Sequence, residues 1–123
     1  MFDQLKAMQS VAALLKNKEQ LAETGERIKA RTGALRVIGE AGGGACRVTM
    51  TGRMQVTDLV LDPALLAGMA VDDKTRELAT SLIREAVNDA TERAQEQVRA
   101  LIAREAEEIG LPGLTDQLSG LLG

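Results

Sequence analysis

The chain contains no histidine, no tyrosine and no tryptophan, and a single phenylalanine, Phe2. Losing histidine removes the usual general base at neutral pH and the commonest metal ligand. Losing the large aromatics removes the π faces on which proteins stack unpaired bases, so single-stranded nucleic acid has no platform here. Any nucleic-acid contact must run through lysine and arginine. The core must be assembled from Leu, Ile, Val, Met and Ala.

Cysteine is also scarce. Cys46 is the sole thiol and has no partner for an intramolecular disulfide, which suits a reducing compartment. No stretch approaches the ~20 apolar residues of a membrane span, and the first ten residues mix acid and base without an apolar run. The expectation is a cytoplasmic protein with no signal peptide. Nor is there a metal cluster: Asp72-Asp73 has no third ligand at useful spacing and reads as a helix cap. No cofactor and no catalytic residues are expected, because no nucleophile–base pair is present.

What is present is charge, unevenly spread. Residues 1–53 carry nine Lys/Arg against five Asp/Glu, and residues 54–123 carry six against thirteen, for a net charge of −3. The acidic total argues against coating DNA by bulk charge. It does not exclude local contact, because screening at physiological salt acts over about 8 Å.

At 123 residues the chain is read as one domain, 1–123. Residues 1–31 have helical spacing, with one apolar stripe through Phe2, Leu5, Met8, Ala12 and Leu15 and a second through Val11, Leu14, Leu21 and Ile28. Gly25 is expected to fray or bend the last turns, and Thr32-Gly33 to end them. From residue 34 the period changes to two. Residues 34–62 predict a three-stranded antiparallel meander, in which Cys46, Val48 and Met50 alternate with Arg47, Thr49 and Thr51. Gly42-Gly43-Gly44 reads as a flexible turn, since no Gly-Lys-Ser/Thr follows to make a phosphate cradle. The third strand, Met54 to Leu61, has apolar residues on both faces and is expected to be buried on both. Asp62-Pro63 closes it. Residues 64–70 predict a short connecting turn.

Residues 72–109 predict a long helix, with Leu78, Leu82, Ala86, Ala90, Ala94, Val98, Leu101 and Ile102 along one stripe. About 36 residues at 1.5 Å rise make roughly 54 Å, whereas a globule of this length is about 35 Å across. The helix must protrude, break, or lie against another chain. A three-stranded sheet also leaves open edges. Both features predict a homodimer, with Val48, Met50, Val56, Leu59, Val60 and Leu61 as candidate interface residues. Residues 110–123 predict a short apolar tail.

Several segments in this order are specific in combination: Gly39-Glu40-Ala41-Gly42-Gly43-Gly44, Val48-Thr49-Met50-Thr51-Gly52-Arg53, Leu61-Asp62-Pro63-Ala64-Leu65-Leu66, Ala86-Val87-Asn88-Asp89-Ala90 and Leu111-Pro112-Gly113-Leu114. Together they resemble the YbaB/EbfC family of bacterial nucleoid-associated DNA-binding proteins across nearly the whole chain. The resemblance implies an α+β fold, a dimer whose helices project like tweezers, duplex DNA as partner with limited sequence preference, and a place in the bacterial nucleoid. It brings no catalytic residues.

The basic residues that could meet DNA fall in two groups: Lys6, Lys16, Lys18, Arg27, Lys29 and Arg31 on the first helix, and Arg93, Arg99 and Arg104 on the long one. Glu96 with Arg99 and Arg104 with Glu108 stand at pairing distance along the helix, but such pairs are worth only about 0.2–0.5 kcal/mol. Asn88-Asp89 is assigned a structural role ahead of DNA contact. Cys46 reads as an inert strand thiol. A rival reading is a protein-interaction scaffold. The Ala/Leu-rich first helix, the acidic second half and the apolar Leu118, Leu121 and Leu122 would then meet a protein partner.

Overall fold

A computed structural model describes residues 2–110. Helix α1 spans Phe2–Ala34, strands β1 Arg36–Ala41, β2 Cys46–Thr51 and β3 Val56–Leu61 follow, and helices α2 Pro63–Met69 and α3 Asp73–Glu108 complete the α+β chain. The expected apolar tail, with Leu111, Leu114, Leu118, Leu121 and Leu122, lies outside the described residues. The chain forms two compact units, residues 31–101 and residues 1–30 with 102–123.

In the unit of residues 31–101 the sheet has order β1-β2-β3, antiparallel throughout. Gly42–Gly44 turns β1 into β2 with φ of 63°, 65° and 95°, a left-handed path open mainly to glycine. The inward face is Val37, Gly39 and Ala41 on β1 with Cys46, Val48 and Met50 on β2. Of these, Cys46, Val48 and Met50 are 0%, 0% and 2% exposed. Facing them is a row of alanines on α3, Ala79, Ala86, Ala90 and Ala94, each fully buried. These small residues let helix and strand approach backbone to backbone. A Cβ on Gly39 would overlap the main chain of Ala86 and Ala90. Burial of Cys46 pushes its thiol pKa up, away from reactivity.

Four expectations change. Residues 64–70 are not a plain turn: Asp62 caps α2, its carboxylate accepting the Ala64 N–H at 2.8 Å with Pro63 in the first turn. Helix α1 runs through Gly25 without a break and closes later than Thr32-Gly33, with the Leu35 N–H donating to Arg31 O at 3.0 Å. The third strand is not buried on both faces. Val56 through Val60 are all exposed and only Leu61 is half-buried, because β3 is an edge strand and α3 lies over β1 and β2. A register shift at Thr49/Met50 pairs Met50 with Val56. Finally, Val48 and Met50 are filled against this chain's own α3 and offer no surface to a second copy.

Helix α3 starts where Asp72 accepts from Lys74 N at 3.1 Å and from the Thr75 hydroxyl at 3.1 Å. It is continuous through Asn88. Gly110, at φ 71°, donates to Glu107 O just past its end.

In the unit of residues 1–30 and 102–123, Thr24 and Ile28 of α1 are buried together with Ile102, Glu105 and Ala106, each 1% exposed. Buried Glu105 accepts from Arg27 Nη2 at 3.1 Å and Nε at 3.3 Å, and the same Nη2 donates to the Thr24 hydroxyl at 3.3 Å. Farther toward the start of α1, Leu5, Met8, Val11 and Leu15 are 59%, 72%, 54% and 56% exposed. At about 100° per residue they lie on the side of the helix roughly opposite Thr24 and Ile28.

Candidate nucleic-acid interface

The cations expected on α1 do not share one face. Lys6, Lys16 and Lys18 are exposed. Arg27 is tied to buried Glu105, so its charge is largely spent within the protein. Lys29 and Arg31 are exposed at their residues yet each has an interaction partner. At about 100° per residue, Lys16 and Arg27 lie on one flank of the helix, and Lys18 and Lys29 on another.

On α3, Arg93 donates from Nε to Asp89 Oδ2 at 3.1 Å. Arg99 and Arg104 are exposed. Among the described residues, no ion pair joins Glu96 to Arg99 or Arg104 to Glu108. Asp89 has the structural place expected of it. Its Oδ2 also accepts the Glu40 N–H at 3.0 Å, and this backbone hydrogen bond, aided by Arg93, holds its carboxyl below the usual aspartate range. The Ala86–Ala90 segment thus serves the fold twice: alanines to meet Gly39, and an aspartate to satisfy the strand edge.

A second set of cations was not singled out by periodicity. Residues 31–53 carry four arginines, Arg31, Arg36, Arg47 and Arg53, against the single acid Glu40, whereas residues 1–30 carry five bases against four acids. Most of the positive excess therefore lies at the end of α1 and on the sheet. Arg36 Nη1 donates to Gly33 O at 2.8 Å and Leu35 O at 2.9 Å, while the Arg53 guanidinium sits against Gly33, 3.2 Å from where a Cβ would be. Arg36 thereby satisfies carbonyls at the negative end of α1, and Arg53 packs beside it. Arg47 pairs with Glu40 at 3.2 Å on the outward face of the sheet. The available signal was the local charge count, which helical spacing conceals because these arginines straddle a helix end, a strand and a turn.

Among the described residues no cluster of three or more metal-ligating side chains occurs, and no helix is long and apolar enough to cross a membrane. An open groove of about 290 Å³ lies between β1 and α3, lined by residues 35–38 and by Arg93, Glu96 and Gln97.

The class these features define is an α+β domain that presents arginines on an open sheet-and-helix surface. The chain belongs to the YbaB/EbfC DNA-binding family, whose model matches residues 2–108. It is 37% identical over 87 residues to a nucleoid-associated protein of Moorella thermoacetica, covering 71% of this chain and 79% of that one. A nucleoid-associated protein of Anaeromyxobacter sp. is 36% identical over 102 residues, covering 83% and 84% of the two chains. The fold is similar to the crystal structure of an uncharacterized Helicobacter pylori protein, with TM-score 0.54 and 22% identity over 74% of this chain and 87% of that one.

Proposed function

We propose that this chain is a nucleoid-associated protein that binds duplex DNA as a homodimer. Contacts to backbone phosphates supply its affinity with little sequence preference, and it organises the nucleoid or modulates transcription in the bacterial cytoplasm. The observation that carries this reading is the family match over residues 2–108. Phosphate contact suits the residue types, since arginine and lysine grip the backbone without reading bases. The cations proposed to take part are Lys6, Lys16, Lys18, Lys29, Arg31, Arg93, Arg99 and Arg104. Arg27 contributes less because Glu105 already holds it. For the dimer, the open strand β3 is the proposed edge, with Val56, Leu59 and Val60 at 47%, 41% and 52% exposure. Leu61 borders it.

The test is fluorescence anisotropy of a labelled duplex of about 30 bp at several salt concentrations. A log–log slope of about −4 to −5 corresponds to roughly five neutralised phosphates. Absence of binding even at about 50 mM salt would remove DNA as the ligand.

A second reading has its own observation. The exposed stripe Leu5, Met8, Val11 and Leu15 is an apolar helix face, which suits a protein partner. Salt separates the two, because apolar association does not weaken steeply as salt rises.

A further inference from the structure

The groove between β1 and α3 has a donor set that the sheet does not use. Among the described residues strand β1 pairs only with β2, and the Glu40 N–H points the other way, to Asp89. Backbone groups of alternate residues in a strand share a direction. The main chain of Ile38 and Arg36 therefore also faces away from β2, along the groove. Asp89 closes this edge at Glu40, and it makes no such bond to Ile38 two residues earlier.

Two arginines line the same groove, one on each wall. Each is already oriented by one anchor. Arg36 uses Nη1 for the two carbonyls at the end of α1, and Arg93 uses Nε for Asp89. A guanidinium has five N–H donors in a planar fork. Among the described residues, the Nη2 and Nε of Arg36 and both Nη groups of Arg93 have no hydrogen-bond partner. Gln97 adds an amide to the α3 wall. Small-molecule sites are enclosed, mostly apolar cavities of roughly 300–1,000 Å³. This groove is small, open and bordered by cations, which suits one charged group on a polymer.

We propose that this groove is a phosphate-binding point for the DNA backbone, with Arg36 and Arg93 as its two cations and the Ile38 N–H as a main-chain donor. The inference rests on the DNA reading above and locates one contact within it. It places a contact on the sheet edge, at Arg36, in addition to the helices. Glu96 on the same wall acts against the anion and sets the affinity below what the two arginines alone would reach.

That opposing carboxylate makes the proposal testable in both directions. Salt-dependent anisotropy of the ~30 bp duplex is measured for the full chain and for Arg36→Gln, Arg36→Lys, Arg93→Gln and Glu96→Gln, with thermal unfolding of each as a folding control. Arg36→Gln and Arg93→Gln are expected each to flatten the salt slope by about one per groove engaged. Arg36→Lys restores the slope, and Glu96→Gln tightens binding by roughly fivefold. A purely structural role for Arg36 would move the unfolding temperature and not the slope, and it would leave Glu96→Gln without effect. If the parent protein binds duplex while Arg36→Gln keeps the parent slope and Glu96→Gln the parent affinity, the groove is overturned and DNA binding stands on other cations. If the parent does not bind at about 50 mM salt, the DNA reading itself fails and the groove goes with it.

Discussion

The two compact units of this chain hold together by opposite means. In residues 31–101 the core is made of close approach: Gly39 against Ala86 and Ala90, with Cys46, Val48 and Met50 filling what remains. There is no slack to absorb an added atom, since interiors are packed to crystal-like density. In residues 1–30 and 102–123, the described core is a handful of side chains around a buried carboxylate, Glu105, held by a half-exposed arginine. A buried charge is tolerable only while it is paired. One unit is therefore sensitive to added volume and the other to the loss of a single charge.

The largest effect should come from volume. Gly39→Val forces a branched side chain into the backbone of α3, and overpacking of this kind costs about 3 kcal/mol when neither side can move. Urea unfolding should show the unfolding free energy fall by that amount, and a loss below about 1 kcal/mol would mean α3 does not sit on β1 as described.

Next is the charge. Arg27→Gln leaves Glu105 with a lost partner and is expected to cost about 1–3 kcal/mol, the penalty of an under-satisfied buried acceptor. The double change Arg27→Leu with Glu105→Leu should recover most of it, because apolar residues of similar size often replace a buried pair without loss. Failure of the double variant to recover would show that the pair also fixes geometry that leucines cannot supply.

A smaller effect concerns the edge of the sheet. Asp89 has a folded-state pKa below its ordinary value of 3.8. Its contribution to stability is therefore complete above that value and lost as pH falls through the lower folded one. Asp89→Asn should flatten the acid limb of the stability curve, as followed by thermal unfolding across the acid range. An unchanged limb would locate the acid sensitivity in other carboxylates.

The smallest expected effect sharpens the contrast at the surface. Met8, at 72% exposure, should accept Met8→Glu with a change within about 0.5 kcal/mol. A larger loss, especially one that depends on protein concentration, would show that a second chain covers the stripe in solution.

Much of the architecture was legible because periodicity reports burial directly. The alternation of Cys46, Val48 and Met50 located the central strand, and the alanine row from Ala86 to Ala94 located the buried face of α3. The candidate site was less legible. Lys6, Lys16 and Lys18 were visible as exposed cations, but nothing in their spacing indicates that Arg27 would be claimed by Glu105, 78 residues away. Arg36 carries no such signal, because a lone arginine at the start of a strand has no periodic signature. Its meaning depends on Arg93 being brought to the opposite wall of the same groove.

The sequence by itself determined the order of the two long helices and the three strands, the need for glycine between β1 and β2, the unreactive thiol and the exclusion of stacking and histidine chemistry. These follow from local backbone preference and composition, which act over a few residues. Only the tertiary structure decided that β3 lies bare at the edge, that Val48 and Met50 belong to this chain's own core, and which arginines are already spent on carboxylates. Each depends on which element covers which. Strand order and helix placement bring distant residues together, and no count along the chain records that.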